Sequence, residues 1–282
     1  MKQELIKKLG EINRDFYQKV ATSFSATRQN SWQGWEEMWR EVAGWLKEVE
    51  VGRDGAEWSE AGVLKIIDIG CGNGRLLRFI DEKMAARTGN FNYYGFDGSD
   101  ELLKLAEEEN LALKEVVGGW EKWDLLNQSM PEKLAEVAGQ NQQPVMVFML
   151  AVLHHIPTAE LREQILNQII ECLPEGSLMV VSLWQFMKSE RIRGRVLSRE
   201  ELMRRIGEKE WLEKGLEEGD YFLDWQAKSE VVRYCHHFND EEIENRLLKR
   251  LTGIKTRAVF RADPEVKTGI NLNTYLILQK KG

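Results

Sequence analysis

Asp68, Gly70, Gly72, Gly74 and Asp97 are residue types, at spacings, that can hold a nucleotide-type cofactor with a cationic tail. The glycines close the apolar run Leu64-Lys65-Ile66-Ile67-Asp68-Ile69, so a buried strand turns directly into a loop. In such a loop positive φ is free of strain, and backbone N–H groups can approach a ligand. Asp68 stands inside the apolar run, where a carboxylate needs a cation or a loop to order, because an unpaired buried charge is costly. Asp97 ends a second apolar segment, Tyr93-Tyr94-Gly95-Phe96, 23 positions beyond Gly74. Nucleotide folds place a carboxylate about 20 residues past the glycines to accept from ribose hydroxyls. A phosphate-binding loop would space its glycines G-x-G-x-x-G with no acid ahead of them. Cys71 and Asn73 fill the loop without adding chemistry.

Strands and helices in a fixed order must carry these residues. The spacing predicts strands near 64–69, 92–97, 113–117, 145–151 and 178–184, and helices near 75–87, 99–109, 131–139 and 159–172. That alternation implies a parallel sheet with helices on both faces. Residues 1–59 read as a helical N-terminal cap, with Leu5, Ile6, Leu9, Ile12 and Phe16 at helix spacing, then Trp35, Met38, Trp39, Val42 and Trp45. The cofactor core is 60–185, a charged helical insert on the substrate side occupies 186–240, and 241–282 complete the core sheet. A closing hairpin is expected from 254–261 with 272–280.

The 282 residues, 43% of them apolar, suffice for a full core. No apolar run approaches the ~20 residues of a membrane span and no secretory series opens the chain, so a cytoplasmic protein is expected. The three cysteines, Cys71, Cys172 and Cys235, show no C-x-x-C pair, and the His154-His155 and His236-His237 pairs lack ligand spacing, so no metal is expected. The net charge of −7 opposes general nucleic-acid binding. Between Lys188 and Arg205, however, seven basic residues face three glutamates, a local 7 − 3 = +4. This run is either a basic patch on an acidic protein or a solvated helix face with internal ion pairs.

The run Asp68-Ile69-Gly70-Cys71-Gly72-Asn73-Gly74, followed by Gly95-Phe96-Asp97-Gly98-Ser99, resembles the cofactor core of class I S-adenosylmethionine-dependent methyltransferases. Phe148 to Ile156 resembles their fourth strand and following loop. The resemblance implies an α/β fold: a Rossmann-like seven-stranded methyltransferase sheet, mostly parallel with an antiparallel last strand, plus the helical cap and insert. It implies S-adenosyl-L-methionine as cofactor, its methionine end held by Asp68 and the loop, its ribose by Asp97 with Gly98 and Ser99, and Leu150 and Ala151 beside it. Gly119 and Trp120 would lie along the adenine. The family often has an acid near Gly119 for the adenine amino group; this chain has none there, which leaves Glu121 or a backbone carbonyl.

A second resemblance reaches the acceptor. Tyr17 through Phe24-Ser25-Ala26-Thr27-Arg28 to Trp32, His154-His155 with Thr158 to Arg162, and Gly219-Asp220 leading to Arg233-Tyr234-Cys235-His236-His237-Phe238 are similar to methyltransferases that finish carboxymethyl-uridine at the tRNA wobble position. The family usually has two arginines where Leu161 and Arg162 stand, a proline where Gln33 stands, and a tyrosine where Cys235 stands. An ionised carboxylate needs no general base, so Arg28 is expected to orient it through a bidentate contact. Tyr17, Trp32, Tyr234 and His236 would shape the pocket, Trp184 would stack a base, and Arg162 would bind phosphate or pair with Glu160. His154 would act as a base only for a neutral acceptor and otherwise shapes its loop. Three readings follow: a methyltransferase for a tRNA base, one for a small carboxylic acid or other metabolite, and a catalytically silent RNA- or protein-binding relative. The resemblance leaves room for a small activating protein partner.

Overall fold

The computed structural model describes residues 3–50, 63–85, 90–126, 129–130, 132–139, 143–207, 215–225 and 228–282. The far ends of the expected cap and of the 75–87 helix, the start of the core and of the 131–139 helix, and the middle of the insert lie outside these residues. Five parallel strands, β1 Leu64–Ile69, β2 Phe91–Asp97, β3 Val117–Lys122, β4 Met146–Leu150 and β5 Leu178–Trp184, join β8 Ile254–Pro264 and β9 Asn271–Lys280 in one sheet. Its order is β3-β2-β1-β4-β5-β9-β8, with β9 antiparallel to both neighbours. The expected seven-stranded sheet with an antiparallel last strand is therefore present.

Helices cover both faces because successive strand residues point opposite ways. On one face Ile67, Val147 and Met149 pack against α5 Glu132–Gly139 and α6 Ala159–Cys172. On the other, Ile66, Phe148 and Tyr275 pack against α2 Gln33–Glu50 and α3 Arg75–Met84. The tryptophan stripe of α2 supplies Trp35 and Trp45 to that second core, which explains its 3.6-residue spacing. α1 Gln3–Ala26 crosses the ends of the strands, touching α4 Asp100–Glu109 at one side and β7 Lys228–His236 at the other.

Two elements differ from the sequence expectation. The third strand runs over 117–122, not 113–117, and a 3₁₀ turn occupies Leu111–Val116. A Cβ at Gly118 would fall 2.3 Å from the Tyr94 ring, so glycine is what lets the strand pass that ring. Among the described residues the insert carries two short helices, α7 Glu190–Arg193 and α8 Arg199–Ile206, and adds a two-stranded antiparallel sheet, β6 Asp220–Trp225 with β7 Lys228–His236. α1 lies against β7, where Leu5 and Leu9 join Phe222, Val232 and Tyr234 in a small core.

Candidate functional site

A cavity of about 410 Å³ opens between α1 and the C-terminal ends of the strands. Its wall runs across the sheet from the β3 end, through β2, β1, β4 and β5, to β9, each about 4.8 Å from the next. Open α/β sheets bind ligands at this edge.

The β1 loop is shaped by backbone geometry. Gly70, Gly72 and Gly74 all have positive φ, and a Cβ built on Gly72 meets no atom within 4 Å, so the bare backbone leaves that space to a ligand. Asp97 binds the loop to β2: its carboxylate accepts from the N–H of Gly72 at 2.9 Å and of Ser99 at 2.9 Å. Asp68 is buried, accepts from the Tyr93 hydroxyl, and has its pKa pushed up to about 7. Burial is the main cause and the Asp97 charge adds to it, while Tyr93 and Arg75 oppose it. A cation placed in the cavity would favour the ionised form. Asp68, Gly70, Cys71, Gly72, Asn73, Asp97, Gly98, Ser99, Leu150 and Ala151 all line the cavity. Ala151 holds φ 58°, a strained value for alanine, with its N–H donated to Ser182 Oγ at 2.8 Å. Asn73 does more than fill the loop: it donates to Ser25 of α1 and Glu109 of α4, at 2.9 and 3.0 Å.

Three residues assigned to the cofactor do not line it. Gly74 caps α3 in the left-handed region, and a Cβ there would meet Asn110 and the Trp120 ring at 2.7 Å. Trp120 props the loop from beneath, its ring filling the space beside Gly95 and Gly74. Gly119, in the same strand, is also absent from the lining. The shifted β3 brings Trp123, Asp124 and Leu125 to the cavity instead. Glu121, within the strand, is not in the lining. Asp124 is an acid in this lining that the earlier strand position leaves out, and it pairs with Arg14 of α1 at 2.6 Å.

Tyr17, Arg28, Trp32, His154 and Trp184 also line the cavity. Arg233, unanticipated, joins them. It is buried, its Nε has no hydrogen-bond partner, and its guanidinium lies over the rings of Trp184, Phe16 and Trp225 at 5.2, 5.4 and 5.8 Å. Arg28 stacks on Phe24 at 4.8 Å. Its pKa is lowered by burial and then by the Arg233 charge. Among the described residues none of Arg28, Arg233 and Arg75, all three in the lining, has a carboxylate partner; Arg75 is held over Trp32 and Trp35 at 4.4 and 4.8 Å and donates to the Asn30 carbonyl at 3.0 Å. Burial and the Arg28 charge bring Arg75 down to about 9.

Arg162, Tyr234 and His236, expected in the substrate pocket, turn away from it. Arg162 is 1% exposed and binds Glu217, Glu242 and the Ile156 carbonyl, not Glu160. Tyr234 donates to Asp220 at 2.6 Å, and His236 sits between Asp220 and Glu242 at 2.8 and 2.9 Å. Burial pushes His236 down, but the two carboxylates outweigh it and hold its pKa above the ordinary value. In β7 alternate residues face opposite sides, so Arg233 meets the cavity while Tyr234 and His236 form a buried ionic network behind it. Period-two alternation was the signal that could have selected Arg233.

His154 and His155 come within 4.8 Å of Cys235, a grouping that adjacent-pair spacing could not reveal. It is poorly suited to a cation. His155 Nε2 accepts from the Tyr17 hydroxyl at 2.7 Å, its Nδ1 faces the Tyr234 carbonyl at 3.0 Å, and the Arg233 charge acts on both rings. Burial first and Arg233 next push His155 down to about 3. His154 is also held well below its ordinary value, chiefly by burial, so both rings are neutral at pH 7.

The basic run of the insert is largely paired. Lys188 meets Asp240, Arg191 meets Glu265, Arg193 meets Glu190, and Arg204 and Arg205 share Glu201. Among the described residues no helix is long and apolar enough to cross a membrane.

A family model described as a methyltransferase domain matches residues 19–250. Solved structures share the fold at low identity. An S-adenosylmethionine-dependent methyltransferase from Methanosarcina mazei is 20% identical, covering 78% of this chain and 92% of its own, with TM-score 0.53. Magnesium protoporphyrin IX methyltransferase from Synechocystis with bound S-adenosylhomocysteine is 15% identical, covering 95% and 97%, with TM-score 0.51. An S-adenosylmethionine-dependent methyltransferase from Listeria monocytogenes, described as putative, is 16% identical, covering 78% and 90%, with TM-score 0.51. No curated protein sequence matches the chain.

Proposed function

The chain belongs to the methyltransferase-domain family and is an S-adenosylmethionine-dependent methyltransferase; from that premise we propose that it methylates a carboxylate, forming an ester. The carrying observation is that Arg28 and Arg233 face one aromatic-walled cavity without a carboxylate of the protein to pair with. An acceptor carboxylate supplies the missing charge, and a guanidinium can grip it through two parallel hydrogen bonds.

The open space at Gly72, the buried Asp68 and the unpartnered Trp123 Nε1 in the same lining support a cofactor at this end of the cavity. Asp68 and the loop would hold its methionine end, Asp97 its ribose, and Asp124 the adenine amino group. S-adenosylmethionine, when bound, offers a methyl on a positive sulfur; a carboxylate oxygen forms the C–O bond as the C–S bond breaks, its electron pair going to sulfur, and no proton moves. The protein's work is then positioning, which can lower a barrier by roughly 7–11 kcal/mol. Arg28 and Arg233 aim the carboxylate, Trp184 and Tyr17 wall its carrier, and α1 keeps water out. His154, held neutral, shapes the loop.

The preferred acceptor is the carboxymethyl-uridine of tRNA, because Tyr17, Phe24, Arg28 and Trp32, the residues of that resemblance, all line the cavity. A small carboxylic acid is the second reading, favoured by the pairing of Lys188, Arg191, Arg193, Arg204 and Arg205 with carboxylates of the protein. The test is transfer of labelled methyl to tRNA whose wobble esters have been hydrolysed, and separately to small aromatic acids, followed by mild alkali. Label released as methanol supports a carboxylate ester, and its source distinguishes the two acceptors. Label that resists alkali overturns the reading.

A further inference from the structure

Beside Trp184, at the β9 end of the cavity, stands a polar group that the proposed reaction leaves unused. Asn273 pairs with Trp184 across the β5–β9 register, so their side chains share one face of the sheet, and both residues line the cavity. Asn273 is buried. Its Nδ2 donates to Asp263 Oδ2 at 2.8 Å, which fixes the orientation of the amide. Asp263 is itself clamped, accepting from the Tyr275 hydroxyl at 2.6 Å and the Gly34 N–H at 2.7 Å, and it holds φ 61°. The amide oxygen of Asn273 has no hydrogen-bond partner. A buried acceptor left unpaired is costly, and one held rigid by a strained neighbour at a cavity wall fits a ligand-recognition role.

We propose that the Asn273 amide oxygen accepts a hydrogen bond from an N–H on the methyl acceptor, so that the enzyme reads a flat carboxylic acid bearing a ring N–H. The inference rests on the carboxylate reading above. β9 lies three strands from β1 in the sheet order, about 14 Å at ordinary strand spacing, which puts Asn273 at the acceptor end and not beside the glycine loop. Arg233 lies over the same Trp184 ring that neighbours Asn273. One carrier stacked on Trp184 can therefore present its carboxylate to Arg233 and its N–H to Asn273. A site built to pair with a donor discriminates strongly against an analogue that lacks it, because the buried group is then stranded.

The probes are 5-carboxymethyluridine, its N3-methyl derivative and phenylacetate, each titrated into enzyme saturated with S-adenosylhomocysteine and read by calorimetry. Wild-type enzyme is expected to bind the nucleoside at least tenfold more tightly than either other acid. Asn273→Leu is expected to remove most of that preference while S-adenosylhomocysteine affinity stays within about twofold. The N3-methyl comparison uses wild-type protein and holds even if the variant folds poorly. Equal binding of the three acids, or a preference that survives in Asn273→Leu, overturns the donor requirement and leaves the carboxylate reading standing. Binding by none of them overturns both.

Discussion

The two ends of the cavity are built on different principles. At the β1–β2 end, positive-φ glycines and the Asp97 carboxylate at the tip of β2 hold the backbone itself in place. At the β5–β7–β9 end, side chains from three distant segments converge: Arg28 from the cap, Arg233 from the insert and Asn273 from the C-terminal hairpin. The first end is local in sequence and the second is assembled by tertiary packing. Ligand affinity for the cofactor and selection of the acceptor should therefore fail separately when mutated.

The largest separation is expected from Arg233→Leu, which should lower kcat/KM for the acceptor by about 100-fold or more, given about 1.5–3 kcal/mol for each charged hydrogen bond lost. Steady-state methyl transfer measures it. Arg162→Leu, two strongly paired carboxylates away from the cavity, should act on stability instead. Stranding Glu217 and Glu242 costs about 3–5 kcal/mol, a melting point lower by roughly 10 °C, read by calorimetry. A stable Arg162→Leu enzyme with altered acceptor KM would show that the network behind β7 belongs to the site.

At the cofactor end, Asp68→Asn is expected to weaken S-adenosylhomocysteine binding by about 10- to 100-fold while raising the melting point of the ligand-free protein. The sign follows from the raised folded pKa: the stability that neutral Asp68 provides is fully present below about pH 4 and is lost as pH rises through about 7. The variant's advantage in melting point should grow between pH 5 and pH 8. In the wild type, ionised Asp68 favours the cationic ligand, so S-adenosylhomocysteine affinity should drop by up to about tenfold on going from pH 8 to pH 6. A flat profile would remove Asp68 from the binding step. Tyr234→Phe should have the smallest effect, a modest loss of stability with acceptor KM unchanged, since its hydroxyl faces Asp220.

The same contrast explains what could be read from the sequence. The strand, the glycine turn and Asp97 are legible because each is dictated by local backbone needs, and ten of the thirteen residues assigned to the cofactor line the cavity. The misses have physical causes. The strand expected over 113–117 runs over 117–122, passing the Tyr94 ring at Gly118, and that shift is what brings Asp124 to the cavity. In β7 the resemblance points to Tyr234 and His236 and not to Arg233, because a segment read as a helical insert offers no period of two with which to assign faces until the strand is seen. Asn273 carries no motif at all. It becomes visible as a recognition group only through Asp263, which orients it, and Trp184, which stands beside it.

The most direct test is to measure S-adenosylhomocysteine affinity and methyl-ester formation side by side in wild type and Arg233→Leu. Separate ends predict affinity within about twofold and ester formation down by about 100-fold. A parallel loss of both would mean that Arg233 holds the cofactor, contradicting an acceptor carboxylate bound between Arg28 and Arg233.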